Sequence, residues 1–337
     1  MDFRRRVTES LLFVFLFAIP TAYGQGLTFA LVSKSLHDAN FIAAARGCEA
    51  AASEDGNHCL HVGPEGAAHF RSQDLAIRRL LKQDVDGIAL SVTNGAYLAR
   101  QSLKQVTKRN IPLITFDSDL PEDLHFLRSA YVGPDNRVIG QQLGGIVNRF
   151  MDEGTLCLMS ASPFDTNLNE RLMGVRQALT GDPKPDDPGL LTGENGWTET
   201  GRCPWYNADD KSRAITQVFT AYTYEHSDAI VSVGAWPLLD YNRLREALLP
   251  FRDELRSRSK LFVLATGGLR PQDYSLLDEG LIQGFVSIDF EAMGRTSYEV
   301  LKRLHEGRAV REFWPTPVIQ VLGGPAGVTG EDSANPE

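Results

Sequence analysis

The 337-residue chain carries a formal charge of −9 at pH 7, with 23% charged and 42% hydrophobic residues. An acidic balance of this size repels phosphate backbones and argues against nucleic-acid partners, while the apolar share is ordinary for a globular protein. The chain is longer than one hydrophobic core usually serves, so two lobes are expected.

The first segment, "MDFRRR" followed by "LLFVFLFAIP" and "TAYGQG", has the charged, apolar and small-residue parts of a secretory signal, assigned to residues 1–24. Leu11 to Pro20 is too short to span a bilayer, which takes roughly 20 apolar residues, and no later stretch supplies them. The expected cut follows Ala22-Tyr23-Gly24, and no cysteine stands there to carry a lipid. A free periplasmic protein without direct membrane insertion is expected. Loss of Arg4, Arg5 and Arg6 with Asp2 and Glu9 takes the formal charge from −9 to −10.

Short apolar runs then alternate with helical-period segments: "LTFALVS" and "NFIAAARGCEAAASEDG", "HCLHVG" and "FRSQDLAIRRLLKQD", "GIALSV" and "LARQSLKQVTKRN", then "PLITFDS". Strand and helix at this pace predict βαβ crossovers and a parallel sheet covered by helices on both faces. A second series begins near "AYVGPDN". It runs through "RVIGQQLGGIVNRFM", "GTLCLMSA", "LNERLMGVRQAL", "DKSRAITQVFTAYTYEH", "AIVSVGA", "DYNRLREALLPFRDELR", "KLFVLAT", "GFVSID" and "AMGRTSYEVLKRLHEG". The expected fold is α/β, with two doubly wound parallel-sheet lobes and a ligand crevice outside the strands' carboxyl ends. Asp117 and Asp119 of "IPLITFDSDLPE" fall at such an end and point to a ligand. The last residues, "GGPAGVTGEDSANPE", read as a frayed tail, with 328–337 flexible.

Cys48, Cys59, Cys157 and Cys203 match no zinc spacing. In an oxidising compartment Cys48 and Cys59, on a helix and the next strand, form a candidate pair. Cys157, in an apolar run, reads equally as a core thiol or a disulfide partner, so a Cys157–Cys203 bond stays open. The histidines show no metal spacing. "FDSDLPEDLHF" fails as a calcium loop because Pro121 and Glu122 replace an oxygen ligand and glycine. No G-x-S-x-G, H-E-x-x-H or P-loop motif occurs, and two carboxylates on one loop cannot flank a glycosidic bond. No catalytic residue, metal or cofactor is expected.

"ALVSKSLHDANFIAAARGCEAAASEDG", "DVDGIALSVTN", "IPLITFDSD", "AYVGPDNRVIGQQLGG", "NLNERLMGV" and "EAMGRTSYEVL", taken in order, resemble the ribose-type (type I) periplasmic sugar-binding proteins of ABC transporters. The resemblance covers nearly the whole chain after residue 24. It implies two lobes joined by a three-segment hinge, 26–134 with 289–317 and 135–288 with 318–327. It also implies a monomer that closes on a sugar or polyol and serves an ABC permease or, alternatively, a membrane chemoreceptor or histidine kinase. The sensing core of LacI-type repressors shares the architecture, but those chains begin with a DNA-binding motif where this one has a signal segment.

The family's asparagine/aromatic segment corresponds to "HDANFI", making Asp38, Asn40 and Phe41 ligand candidates, since a pyranose offers an apolar face to a ring and hydroxyls to polar groups. The alternative is Phe41 as a core residue with Asn40 as helix N-cap. The family's strand-end aspartate corresponds to Asp117, able to accept two hydroxyl bonds, and the arginine that often follows is here Ser118. Asp119 is either its helper or a solvated loop carboxylate. In the second lobe Asn169 corresponds to the usual arginine and Arg171 stands nearby, either reading hydroxyls or ion-pairing. Gly234, Thr266 and Ile288 replace usual hydroxyl readers, with Asp289 the nearest polar neighbour of the last. Trp236, and Trp205 or Tyr206 of "CPWYNADD", supply aromatic surface, although Trp236 also fits a plug of the lobe interior. These departures imply a ligand other than ribose, and "GAWPL" resembles a less-studied branch of the family.

Overall fold

The computed structural model describes residues 26–181 and 189–323. The expected signal segment, 1–24, and the tail, 328–337, lie outside the described residues. From the amino end run β1 (Thr28–Val32), α1 (Ala39–Glu54), β2 (His58–Val62), α2 (Phe70–Leu80), β3 (Gly87–Leu90), α3 (Gly95–Arg100), α4 (Ser102–Lys108), β4 (Leu113–Phe116) and β5 (Tyr131–Gly133). Next come α5 (Asn136–Phe150), β6 (Gly154–Ser160), α6 (Thr166–Thr180), β7 (Thr192–Glu194), β8 (Trp197–Glu199), β9 (Trp205–Tyr206), α7 (Lys211–Thr223) and β10 (Ala229–Ser232). The chain continues through α8 (Tyr241–Leu248), α9 (Arg252–Ser257), β11 (Leu261–Thr266), α10 (Pro271–Asp278), β12 (Gly284–Ile288), α11 (Phe290–His305), β13 (Phe313–Pro315) and β14 (Val318–Leu322).

Two sheets result. The amino-terminal one is six-stranded and parallel, in the order β13-β5-β4-β3-β1-β2. The carboxy-terminal one is eight-stranded, in the order β14-β12-β11-β10-β6-β8-β7, with β9 also paired to β6. Its central strands are parallel, while β14 and β7 are antiparallel to their neighbours. Inner strands such as β3, β4 and β11 are buried at every residue, which is why they read as continuous apolar runs rather than alternating ones. The chain crosses between the sheets after β5, after β12 and after β13.

Aspartates or an asparagine start most helices: Asp38, Asn94, Asp135, Asp165, Asp210, Asp240 and Asp289 each accept a hydrogen bond from a backbone N–H of the first turn. Within each lobe a helix pair crosses at glycines. A Cβ on Gly47 of α1 would lie 2.0 Å from the Glu291 carbonyl of α11, and one on Gly140 of α5 would lie 2.0 Å from the Arg171 carbonyl of α6. Both disulfides form, Cys48–Cys59 joining α1 to β2 and Cys157–Cys203 joining β6 to the segment before β9.

The structure departs from the expected elements in three places. "LARQSLKQVTKRN" breaks into α3 and α4 at Gln101 (φ −116°, ψ −107°). "DYNRLREALLPFRDELR" breaks around Leu249–Phe251, because Pro250 lacks the N–H a continuous helix needs. The strands β7, β8 and β9 were not anticipated: two or three residues each, they carry no periodicity and exist through pairing with β6 and each other.

Candidate functional site

Strand ends of the two sheets meet. Asp117 follows β4 and is only 8% exposed, and its backbone lies at φ 59°, with the Ser118 N–H donating to the Phe116 carbonyl across it. A three-residue turn with positive φ at a central non-glycine residue is a strained form, and such strain gathers at functional sites. Ser91, just past β3, donates its hydroxyl to Asp117 Oδ2 at 2.8 Å. Ser118 is buried behind, its carbonyl taken by the Val92 N–H.

From the opposite lobe, α6 presents Asn167 and Arg171, four residues apart and so on one face. The Asn167 amide donates to the Asp117 carbonyl oxygen. Buried Arg171 donates from Nε to Asn136 Oδ1 at 2.8 Å and from Nη1 to the Val233 carbonyl at 2.9 Å. The Asn136 amide in turn donates to the Tyr131 hydroxyl at 3.4 Å, and that hydroxyl donates to the Asp117 carbonyl at 3.0 Å. A continuous polar chain thus runs from the first sheet to the second. Burial, aided by the nearby Asp117 and Asp119 charges, pushes the Tyr131 phenol up, so it stays neutral. Burial pulls Arg171 below the usual arginine value against the opposing pull of Asp117 and Asp165.

Lys34, two residues past β1, lies between the lobes. Its Nζ is 3.6 Å from Asp117 Oδ2 and 3.7 Å from Oδ2 of Asp165, the N-cap of α6. Burial alone would lower its pKa, but Asp117, Asp165 and Asp209 outweigh it and hold the ammonium above the ordinary lysine value. Asn40 reaches the other lobe too: a Cβ on Gly267, just past β11, would lie 1.8 Å from its Oδ1. The lobes are therefore closed on one another.

Of the residues singled out from sequence, Asp117, Ser118, Arg171, Gly234, Trp236 and Thr266 stand at or just past strand ends or on α6 along this junction. Gly234 lies under the Trp236 ring, 2.5 Å from where a Cβ would sit, and Trp236 Nε1 donates to Asp209 Oδ1 at 2.8 Å. Thr266 ends β11 and is buried. Others also make contacts within their own lobe. Asp38, not Asn40, caps α1, and it also stands within charge reach of Asp117 and Lys34 at the junction. The Phe41 ring is buried, edge-on to Phe116 at 6.1 Å and to Phe290 at 6.0 Å, in the core. Asn169, two positions from Asn167 and so on another side of α6, donates to the Pro163 carbonyl at 2.9 Å. Trp205 packs against the second lobe's core, the Tyr206 carbonyl accepts from Gln217, and Asp289 caps α11. Asp119 is neither helper nor solvated: Arg128 holds it with bonds of 2.8 and 2.7 Å inside its own lobe.

Sequence reasoning passed over Lys34, Asp165 and Asn167. Lys34 carried the same signal as Asp117, a polar residue closing an apolar run. Asp165 carried an N-cap signal, and once the cap is placed there, helical phase puts Asn167 with Arg171.

Among the described residues no helix is long and apolar enough to cross a membrane. No curated protein matches the chain. Solved structures share its fold at low identity. An ABC-transporter solute-binding protein from Agrobacterium vitis, bound with α-D-tagatopyranose, is 17% identical with a TM-score of 0.74, over 88% of this chain and 95% of that one. GanP, a glucose-galactose binding protein from Geobacillus stearothermophilus, is 20% identical with a TM-score of 0.70, over 89% and 98%. A solute-binding protein from Burkholderia graminis in complex with D-arabinose is 21% identical with a TM-score of 0.70, over 89% and 96%. Residues 29–309 match the family model described as a periplasmic binding protein domain, and the chain belongs to that family.

Proposed function

We propose that this protein is the solute-binding subunit of an ABC importer, capturing a sugar or sugar-like polyol between its lobes in the periplasm. The observation that carries the reading is the polar junction itself: Asp117 and its strained turn on one side, Asp165, Asn167 and Arg171 on the other, all at strand ends or a helix start. A ligand shifts such a molecule toward closure only by touching both lobes, and this junction offers donors and acceptors from both. The sugars named with the structural neighbours above support the ligand class, and the expected signal segment at 1–24 supports the compartment.

Thermal unfolding of the protein lacking residues 1–24, against pentoses, hexoses, sugar alcohols, amino acids and nucleosides, tests it. A ligand at 100 times its dissociation constant adds about 2.7 kcal/mol to stability, a clear rise in Tm. A rise confined to sugars or polyols is expected. A rise with amino acids or nucleosides alone, or with nothing in the panel, refutes the reading.

A further inference from the structure

We propose that Lys34 determines specificity by reading two adjacent hydroxyls of a neutral polyol, one shared with Asp117 and the other with Asp165. This rests on the function proposed above and adds to it which part of the ligand is read, and by what.

The distances carry the proposal. At 3.6 and 3.7 Å from its two carboxylates, the Lys34 ammonium is paired by charge yet beyond the roughly 2.7–2.9 Å of a direct charge-assisted hydrogen bond. Among the described residues it donates no hydrogen bond, although only 19% of its side chain is exposed. An ammonium has three N–H donors and a carboxylate only acceptors, so they make good direct partners, but here they stand apart. A hydroxyl seated beside such a pair, within about 2.8 Å of each ion, serves both. Its oxygen accepts from Lys34 while its proton goes to the carboxylate, and both ions keep a strong bond.

There are two such positions on one nitrogen. Asp117 Oδ2 already accepts from Ser91, which fixes its plane. Asp165 spends Oδ1 on the Leu168 N–H at 3.1 Å, leaving Oδ2 turned to Lys34. Two oxygens bonded to a single nitrogen lie next to each other, which a vicinal diol supplies. Because Asp117 and Asp165 belong to opposite lobes, the same diol would also link the lobes.

Charge narrows the class further. Asp117, Asp165 and Asp209 face Lys34 with Arg171 beside them, so the carboxylates still outnumber the cations and a ligand carboxylate or phosphate placed there would add to the surplus. A ligand ammonium would compete with Lys34 itself. A neutral polyol meets neither penalty.

Affinities of the native protein, Lys34→Met and Asp165→Asn should be measured calorimetrically. The probes are D-ribose, D-arabinose, D-galactose and D-tagatose, with 2-deoxy-D-ribose, 2-deoxy-D-galactose and D-galacturonate as comparators. Circular dichroism of each empty variant confirms folding. Asp165→Asn tests the same diol from the other lobe should Lys34→Met not fold. For the sugar that binds, the native protein should prefer it over its deoxy and acidic comparators. Lys34→Met should weaken it by about 10- to 100-fold, the worth of a hydrogen bond to a charged group, and should erase the preference over the deoxy analogue. Unchanged affinity or undiminished preference in Lys34→Met overturns the assignment of Lys34 while leaving sugar binding intact. Tighter binding of the acid overturns the neutral class. Failure of every sugar to bind the native protein overturns both this proposal and the function beneath it.

Discussion

The two lobes solve one problem with different parts. In the amino-terminal lobe the junction residues stand on or beside strand ends, Lys34 after β1, Ser91 after β3 and Asp117 after β4, and the six-stranded sheet fixes them directly. In the carboxy-terminal lobe Thr266 ends β11, but most stand on the first turns of α6 or in the segments after strands, as with Asp165, Asn167, Arg171, Asp209 and Trp236. A strand end moves only if its sheet moves, whereas a helix start moves with its packing partner. The first lobe is thus a rigid plate of readers and the second a set of readers held by helix packing and loop staples.

The disulfides differ in the same sense, and they supply the largest effect. Cys48–Cys59 closes a short local loop with a sequence separation of 11, while Cys157–Cys203 closes one of 46. Loop-closure entropy gives about 2.8 kcal/mol for the first and about 4.0 kcal/mol for the second at 25 °C. Paired Cys→Ser variants measured by urea denaturation should therefore lose more stability at 157/203 than at 48/59. Because Cys203 also anchors the segment leading to Asp209, which holds the Trp236 indole, the 157/203 variant should also bind more weakly. A larger loss at 48/59 would show that local packing, not loop length, sets the worth of these bonds.

The glycine crossings break the comparison more finely. Gly47→Ala drives a methyl into the Glu291 carbonyl, and Gly140→Ala drives one into the Arg171 carbonyl. Each should cost about 1–3 kcal/mol of stability, the ordinary range for overpacking. Their effects on binding should part. Gly140→Ala displaces the helix that carries Asn167 and Arg171, and affinity should fall about tenfold, worth 1.4 kcal/mol. Gly47→Ala displaces α11 from α1, away from the strand-end readers, and the affinity of the folded protein should hold. Equal losses of affinity in both variants would remove the distinction between a plate and a packed helix.

The same contrast explains what was legible in the sequence. The strand–helix alternation and the two lobes were readable because buried parallel strands appear as unbroken apolar runs, and Asp117 was readable as the polar residue closing one of them. In the second lobe the decisive quantity is helical phase. Reading "NLNERLMGV" without fixing the Asp165 cap leaves Asn167 and Asn169 indistinguishable, yet they lie on different sides of α6. Phe41 was ambiguous for a related reason: only packing against Phe116 and Phe290 tells a core ring from one at the ligand. The strands β7 to β9 were invisible because they are defined by partners distant in sequence.

The smallest effect concerns surface ion pairs, one joining helices in each lobe. Arg46 of α1 pairs with Glu291 of α11, and Arg245 of α8 pairs with Glu279 just past α10. The arginine hydrogen bonds, ahead of charge attraction, hold both glutamates below the usual 4.5. A carboxylate depressed in the folded state adds stability that is present above its unfolded pKa and lost as pH falls through the folded one. Denaturation of native protein, Glu291→Gln and Glu279→Gln should therefore show small differences at pH 7 that shrink as pH falls past the unfolded carboxylate value of about 4.3 and vanish once it has passed the depressed folded one. Arg46–Glu291 is exposed and Arg245–Glu279 half-buried, so the differences should stay near the weak end of surface ion pairs, smaller for Glu291, and shrink with added salt. A loss in either variant that persists at pH 3 and in high salt would mean that the glutamate serves its helix pair by packing rather than by charge.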